Sequence, residues 1–176
     1  MREVVTRERI KRVMAALGEA ADRETRVYFT GGVTAVLLGW RPSTIDIDMV
    51  AVPDSGEMLR SIPKIKESLA VNVELASPAH FIPVLPGWEG RSPPIERCGP
   101  VSFYHFELYA QALAKLERRH ARDLVDVGEM LKRGLIDPGR AREYFAAIEP
   151  ELYRFPAIDP PTFRRTVEAE FGQRDR

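Results

Sequence analysis

A chain of 176 residues suffices for one domain with a full hydrophobic core, or one domain carrying a short helical appendage, and two independent domains are not expected. Lysine and arginine number 26, as do aspartate and glutamate, which excludes a global field aimed at duplex nucleic acid or an anionic membrane, so any nucleic-acid contact must be local. Cys98 is the only cysteine, which excludes an internal disulfide and a cysteine-rich zinc site. No apolar run approaches the roughly 20 residues of a membrane-spanning helix, and the N-terminus is charged rather than signal-like, so the chain reads as soluble and cytoplasmic.

From Arg7 to Arg23, the residues Ile10, Val13, Met14, Leu17 and Ala21 recur at steps of three and four, the spacing of an amphipathic helix. Arg26 to Thr30 reads as a strand, Gly31-Gly32 as a tight turn, and Val33 to Leu38 as a buried helix stopped by Gly39. A loop through Trp40 and Pro42 leads to a second strand, Ile45 to Val52, ended by Pro53. Gly56 to Leu69 has helical spacing with Pro63 as a point of kinking, and Val71 to Leu75 is a third strand. Between Ser77 and Pro100 lie six prolines and three glycines, which predict a long ordered loop.

Val101 to Phe106 is a fourth strand, and Glu107 to Arg133 is the longest helical pattern, ended by Gly134. Asp137-Pro138 is an N-cap followed by proline at the first helical position, opening a helix to Ile148. A proline-rich joint from Pro150 to Pro161 precedes a last helix, Thr162 to Phe171. Strands interleaved with helices, and helices gathered at the end, predict an α+β fold with a small mixed sheet, flanking helices and a C-terminal helical extension. The expected division is a core of residues 1–134 with an extension, 135–176, packed on the same domain.

The chemistry gathers on the second strand. Side chains alternate along Ile45-Asp46-Ile47-Asp48-Met49, so the isoleucines and the methionine are expected in the core while Asp46 and Asp48 share the other face, about 7 Å apart. Two carboxylates so placed suit one hard cation or one member each of a pair, as phosphoryl or nucleotidyl transfer requires. An isolated Asp-x-Asp is more often a pair of solvated positions on a half-exposed strand; its company here is what matters. Gly31-Gly32 follows a strand and opens a helix, where backbone N–H groups meet a triphosphate without a side chain in the way. Glu74 supplies a third carboxylate on an alternating strand, with Asn72 on its face and Val71, Val73 and Leu75 on the other. It would complete a magnesium site in which one acid also accepts the proton of an attacking hydroxyl, or else it is an edge residue.

The stretch TGGVTAVLLGWRPSTIDIDM, Thr30 to Met49, resembles the signature of the polymerase-β-like nucleotidyltransferase superfamily. VNVELASPAHFIPVLPGW and LAKLERRHARDLVDV are similar to a bacterial branch grouped with AbiEii-type toxins of toxin–antitoxin systems and with DUF6036-like chains. The resemblance covers roughly Val27 to Leu131. It implies that Gly31 and Gly32 hold a nucleoside triphosphate, that Asp46 and Asp48 bind Mg²⁺ (or Mn²⁺), that Glu74 supports the metal or the attacking group, and that Lys115 contacts phosphate. Many members carry Gly-Ser in the turn, with a hydroxyl that bonds phosphate; this chain has Gly32 there, with Thr30 just before the turn.

The implied activity is transfer of a nucleoside monophosphate to a hydroxyl of a transfer-RNA 3′ end, a protein or a small molecule, with a role as toxin of a toxin–antitoxin pair. The alternative is a catalytically weak module that binds nucleotide or a cognate toxin or antitoxin protein.

Lys115, Arg119, Arg122 and Asp126 recur at steps of four, three and four, so one helix stripe is mainly basic. It reads either as a phosphate-contacting face or as a solvated face in which Arg119 pairs with Asp123 and Arg122 with Asp126. On an unbroken helix Lys115 and Asp126 stand about 16 Å apart, so they serve one site only if the helix breaks near His120. Arg41 and Thr44 precede the acidic strand, where the guanidinium either grips phosphate or pairs with Asp46. His80, His105 and His120 have no metal-ligand spacing, and each is expected in a loop or at the surface.

Overall fold

The computed structural model describes residues 3–54 and 56–173. The α+β class expected from the sequence is the class found. The chain divides into two compact units, residues 1–77 with 92–106, and residues 78–91 with 107–176.

The first unit is a five-stranded mixed sheet in the order β5-β4-β2-β7-β6. Its strands are β2 (Thr25–Thr30), β4 (Asp46–Val52), β5 (Asn72–Leu75), β6 (Pro94–Cys98) and β7 (Val101–His105). β2 runs antiparallel to β4 and parallel to β7; β4 and β5 are parallel. Two further short strands, β1 (Val5–Thr6) and β3 (Ser43–Thr44), pair with each other. Helices α1 (Arg7–Ala20) and α3 (Gly56–Leu69) cover one sheet face. Their periodic residues Ile10, Val13, Met14 and Leu17, and Met58, Ile62 and Ile65, join Val27, Phe29, Ile47, Met49, Val73 and Phe103 in one buried cluster. Removing such side chains from water is the main force holding the unit together. Pro63 lies inside α3, which spans its full expected length.

Period-two alternation sends the intervening residues of the same strands to the opposite face, and most of the candidate site lies there. One expectation for the core is corrected: Ile45 precedes β4 and is 52% exposed. The loop expected from Ser77 to Pro100 is also corrected: it contains a 3₁₀ turn (Pro78–His80), a four-residue helix α4 (Trp88–Arg91) and the strand β6. β6 tolerates Pro94 because it is an edge strand whose first residue is that proline.

His105 is not a surface residue. It is 4% exposed at the end of β7, its Nδ1 shares a 3.0 Å hydrogen bond with Thr34 Oγ1 of α2 (Gly32–Leu38), and burial lowers its pKa to about 4. The folded state therefore refuses a proton that the unfolded chain accepts below about pH 6.5. Stability should be complete above that pH and decline as pH falls toward 4, by about 3 kcal/mol in total. Urea unfolding across pH 4–7 checks this: His105→Asn, which keeps a polar atom near the Nδ1 position but does not titrate, should flatten that part of the profile.

The second unit is helical. It contains α4, α5 (Leu108–Arg118), α6 (Ala121–Lys132), α7 (Pro138–Ile148), α8 (Pro160–Phe171) and a 3₁₀ segment, Glu149–Arg154. Leu113, Leu116, Val127, Met130, Phe145, Phe163 and Phe171 are buried in it, with the Phe145 and Phe163 rings edge-on at 4.9 Å. Asp137 caps α7 by accepting from Arg140 N at 2.8 Å, with proline in the first turn as expected. The single helix expected from Glu107 to Arg133 is corrected to two. Arg119 takes a left-handed conformation, φ 57°, and His120 stands at the N-cap position of α6.

Candidate active site

β2 ends at Thr30, the register partner of Asp48. Gly31 follows with φ 66° and ψ −130°, a conformation that favours glycine, and Gly32 begins α2. On the neighbouring strand Asp46 and Asp48 are half-buried while Ile47 and Met49 are buried, so the alternation read from the sequence holds across these four residues. A Cβ built on Gly31 would lie 3.1 Å from Asp48 Oδ2, so this carboxylate is directed at the glycine bend.

Gly32 is required by its neighbour. A Cβ at this position would fall 2.6 Å from Thr44 Cβ and overlap the Thr44 hydroxyl. The turn therefore lacks a serine because the volume such a side chain would fill already holds a hydroxyl, brought from β3. Gly32→Ser should cost about 1–3 kcal/mol through overpacking. Adding Thr44→Gly to it should restore most of that loss, giving a coupling of about 1 kcal/mol or more in a double-mutant cycle followed by thermal unfolding.

β5 brings the third acid. Its register sets Asn72 beside Asp46 and Glu74 beside Asp48, so Asp46, Asp48, Asn72 and Glu74 share one sheet face. Asn72 is buried, and its Nδ2 donates to Asp46 Oδ1 and to Glu74 Oε1, both at 2.8 Å. Neither Asp46 nor Glu74 makes an ion pair with a lysine, arginine or histidine among the described residues. Arg41 lies half-buried in the loop before β3. Among the described residues no three His, Cys, Asp or Glu side chains form a preassembled metal cluster. A donor set of two protein carboxylates suits Mg²⁺, which usually keeps several waters and takes further oxygens from substrate phosphates.

Lys115 belongs to the helical unit. Its Nζ lies 2.8 Å from Asp126 Oδ2 and 3.3 Å from Asp123 Oδ1, with all three side chains at most 7% exposed. The turn at Arg119 and His120 folds α6 back against α5 and brings Asp126 to Lys115, so the 16 Å separation of an unbroken helix does not apply. Arg118 makes a two-pronged contact with Asp123, both bonds 2.8 Å. Burial opposes ionisation of Asp123, yet Arg118 and Lys115 hold its pKa below the ordinary carboxylate value. The pairings expected of Arg119 with Asp123 and Arg122 with Asp126 are corrected, since those acids are taken by Arg118 and Lys115.

Sequence reasoning missed the hydrogen-bonding role of Asn72. Asparagine is depleted in strands, and one standing in Val71-Asn72-Val73 was the available signal.

A mixed sheet that sets an Asp-x-Asp strand against a glycine bend is the frame of a nucleotidyltransferase. The chain belongs to the DUF6036 family, described as nucleotidyltransferases of unknown function, whose family model matches residues 8–151. No curated protein and no solved structure matches the chain. Among the described residues no helix is long and apolar enough to cross a membrane.

Proposed function

We propose that this chain transfers a nucleoside monophosphate from a nucleoside triphosphate to an acceptor hydroxyl, using Mg²⁺ or Mn²⁺ held by Asp46 and Asp48. One observation carries the reading: an acidic sheet face on which Asp46 and Glu74 have no cationic side chain to neutralise them among the described residues, with Asp48 directed at the Gly31 bend. Like charges so gathered repel unless a cation joins them. When bound, the cation stabilises the charge that develops on the transferring phosphorus and the departing pyrophosphate.

The residues divide the remaining work. Gly31 and Gly32 present no side chain to obstruct the approach of a triphosphate to the bend. The hydroxyls of Thr30 and Thr44 and the guanidinium of Arg41 supply further phosphate donors around the bend. Glu74 takes the proton of the attacking hydroxyl as its oxygen bonds to the α-phosphorus and the bond to pyrophosphate breaks. Lys115 holds the α5–α6 joint of the helical unit through Asp123 and Asp126.

The resemblance to AbiEii-type toxins makes the 3′ end of a transfer RNA the first acceptor to try, with a toxin role to follow from it. A scan of radiolabelled triphosphates against cell RNA and protein extracts, with Mg²⁺ or Mn²⁺, tests the reading. Label should enter one acceptor class from one or two nucleotides. Absence of transfer from every nucleotide under both metals would overturn it.

A further inference from the structure

The acidic face is organised by an uncharged group. Asn72 is 6% exposed, and an amide buried to that degree must find partners for its polar atoms. Both groups facing it are carboxylates, which only accept, so its nitrogen and not its oxygen must be turned toward them. One N–H then goes to Asp46 and the other to Glu74, each at 2.8 Å. For each of these carboxylates it is the one hydrogen-bonding side chain among the described residues.

The choice of amide has a consequence that neither a basic nor an acidic residue would share. A lysine or arginine at position 72 would bridge the same two carboxylates but offset one of their two charges, weakening the attraction for a cation. An aspartate would make a third carboxylate between them and create a metal site independent of nucleotide. An asparagine fixes the separation of Asp46 and Glu74 while leaving both charges in place.

We propose that Asn72 is a positioning residue that latches Glu74 to Asp46, keeping Glu74 beside the metal rather than on it. Asp46 and Asp48 would then hold the cation, with phosphate oxygens of a triphosphate supplying further ligands. This assignment deepens the nucleotidyltransferase reading and rests on it. It also divides the three acids: Asp46 and Asp48 for the metal, Glu74 for the acceptor's proton.

Two variants test the assignment. Asn72→Asp places a third carboxylate between the other two, so Mn²⁺ should bind in the absence of nucleotide at least about tenfold more tightly than to the unaltered chain, affinity following ligand charge count. Electron paramagnetic resonance titration of free Mn²⁺ reads this directly. Asn72→Leu keeps the bulk and removes both donors. It should lower kcat by about 10- to 100-fold, the usual cost of losing a group that orients metal ligands, with KM for the triphosphate changed far less.

The Mn²⁺ titration needs no substrate, so its outcome is separable from the activity. Tight Mn²⁺ binding by Asn72→Asp alongside an unaltered chain that transfers no nucleotide would sink the enzymatic reading and leave the geometry of the latch standing. Equal Mn²⁺ binding by the two proteins, or an Asn72→Leu variant that keeps full kcat, would overturn the role given to Asn72. A lowered melting temperature in Asn72→Leu with kcat intact would likewise reduce it to a packing residue.

Discussion

Replacing Asp46 and Asp48 together by asparagine should reduce nucleotide transfer by about 10³-fold or more while leaving the metal-free protein as stable as before or slightly more so. The first part follows from the roles assigned to the pair: stabilisation of charge at the transferring phosphorus accounts for several kcal/mol of barrier lowering, and each 1.4 kcal/mol is about tenfold in rate. The second part follows from their surroundings. Asp46 accepts from Asn72 and has no cationic partner among the described residues, and Asp46, Asp48 and Glu74 share one sheet face with Asn72. Removing two of the negative charges from this face relieves their mutual repulsion. Scanning calorimetry in the presence of a chelator is the check on this half. A clear fall in melting temperature without metal would contradict it.

Lys115→Met should behave in the opposite way, with a loss of about 3–5 kcal/mol of folding stability. Its ammonium is 2.8 Å from Asp126 and 3.3 Å from Asp123, both buried. Removing it leaves two desolvated carboxylates without that cation, which costs far more than a surface ion pair would. Against a typical stability of about 5–15 kcal/mol, such a loss brings a domain near its limit. Adding Asp126→Asn to the variant should recover a large part of it, because the uncompensated charge is then gone. Urea unfolding of the single and double variants measures both effects. A Lys115→Met protein of undiminished stability whose KM for triphosphate rises would instead make Lys115 a direct phosphate contact.

The parts of this structure that were legible in the sequence are those governed by local rules. Period-two alternation put Asp46 and Asp48 on one face and Ile47 and Met49 on the other, as found. Asp137-Pro138 announced α7 by its cap, and Gly31-Gly32 marked the bend by the conformation it allows. Other features were not legible, because they depend on how elements meet rather than on local preference. The stretch Leu116 to Asp123 contains no glycine or proline, and its periodicity runs straight through; the ion pairs of Lys115 and Arg118 with Asp123 and Asp126 accompany the turn at Arg119, which takes a positive φ without glycine.

β6 was hidden by prolines that an edge strand accommodates. The relation between Gly32 and Thr44, and that between Asn72 and two acids, join side chains from different elements, which spacing along one element does not reveal. Ile45 failed as a core residue for a related reason: alternation assigns a face, but whether that face is covered depends on the neighbouring elements.

The most direct test of the account is a crystal structure with Mn²⁺ and a non-hydrolysable nucleoside triphosphate, with anomalous scattering used to locate the metal. A Mn²⁺ peak between Asp46 and Asp48, with phosphate oxygens completing its shell beside Gly31 and Glu74 still bonded to Asn72, is the predicted result. A triphosphate bound elsewhere, or Mn²⁺ absent from these two carboxylates while the nucleotide is present, would contradict it.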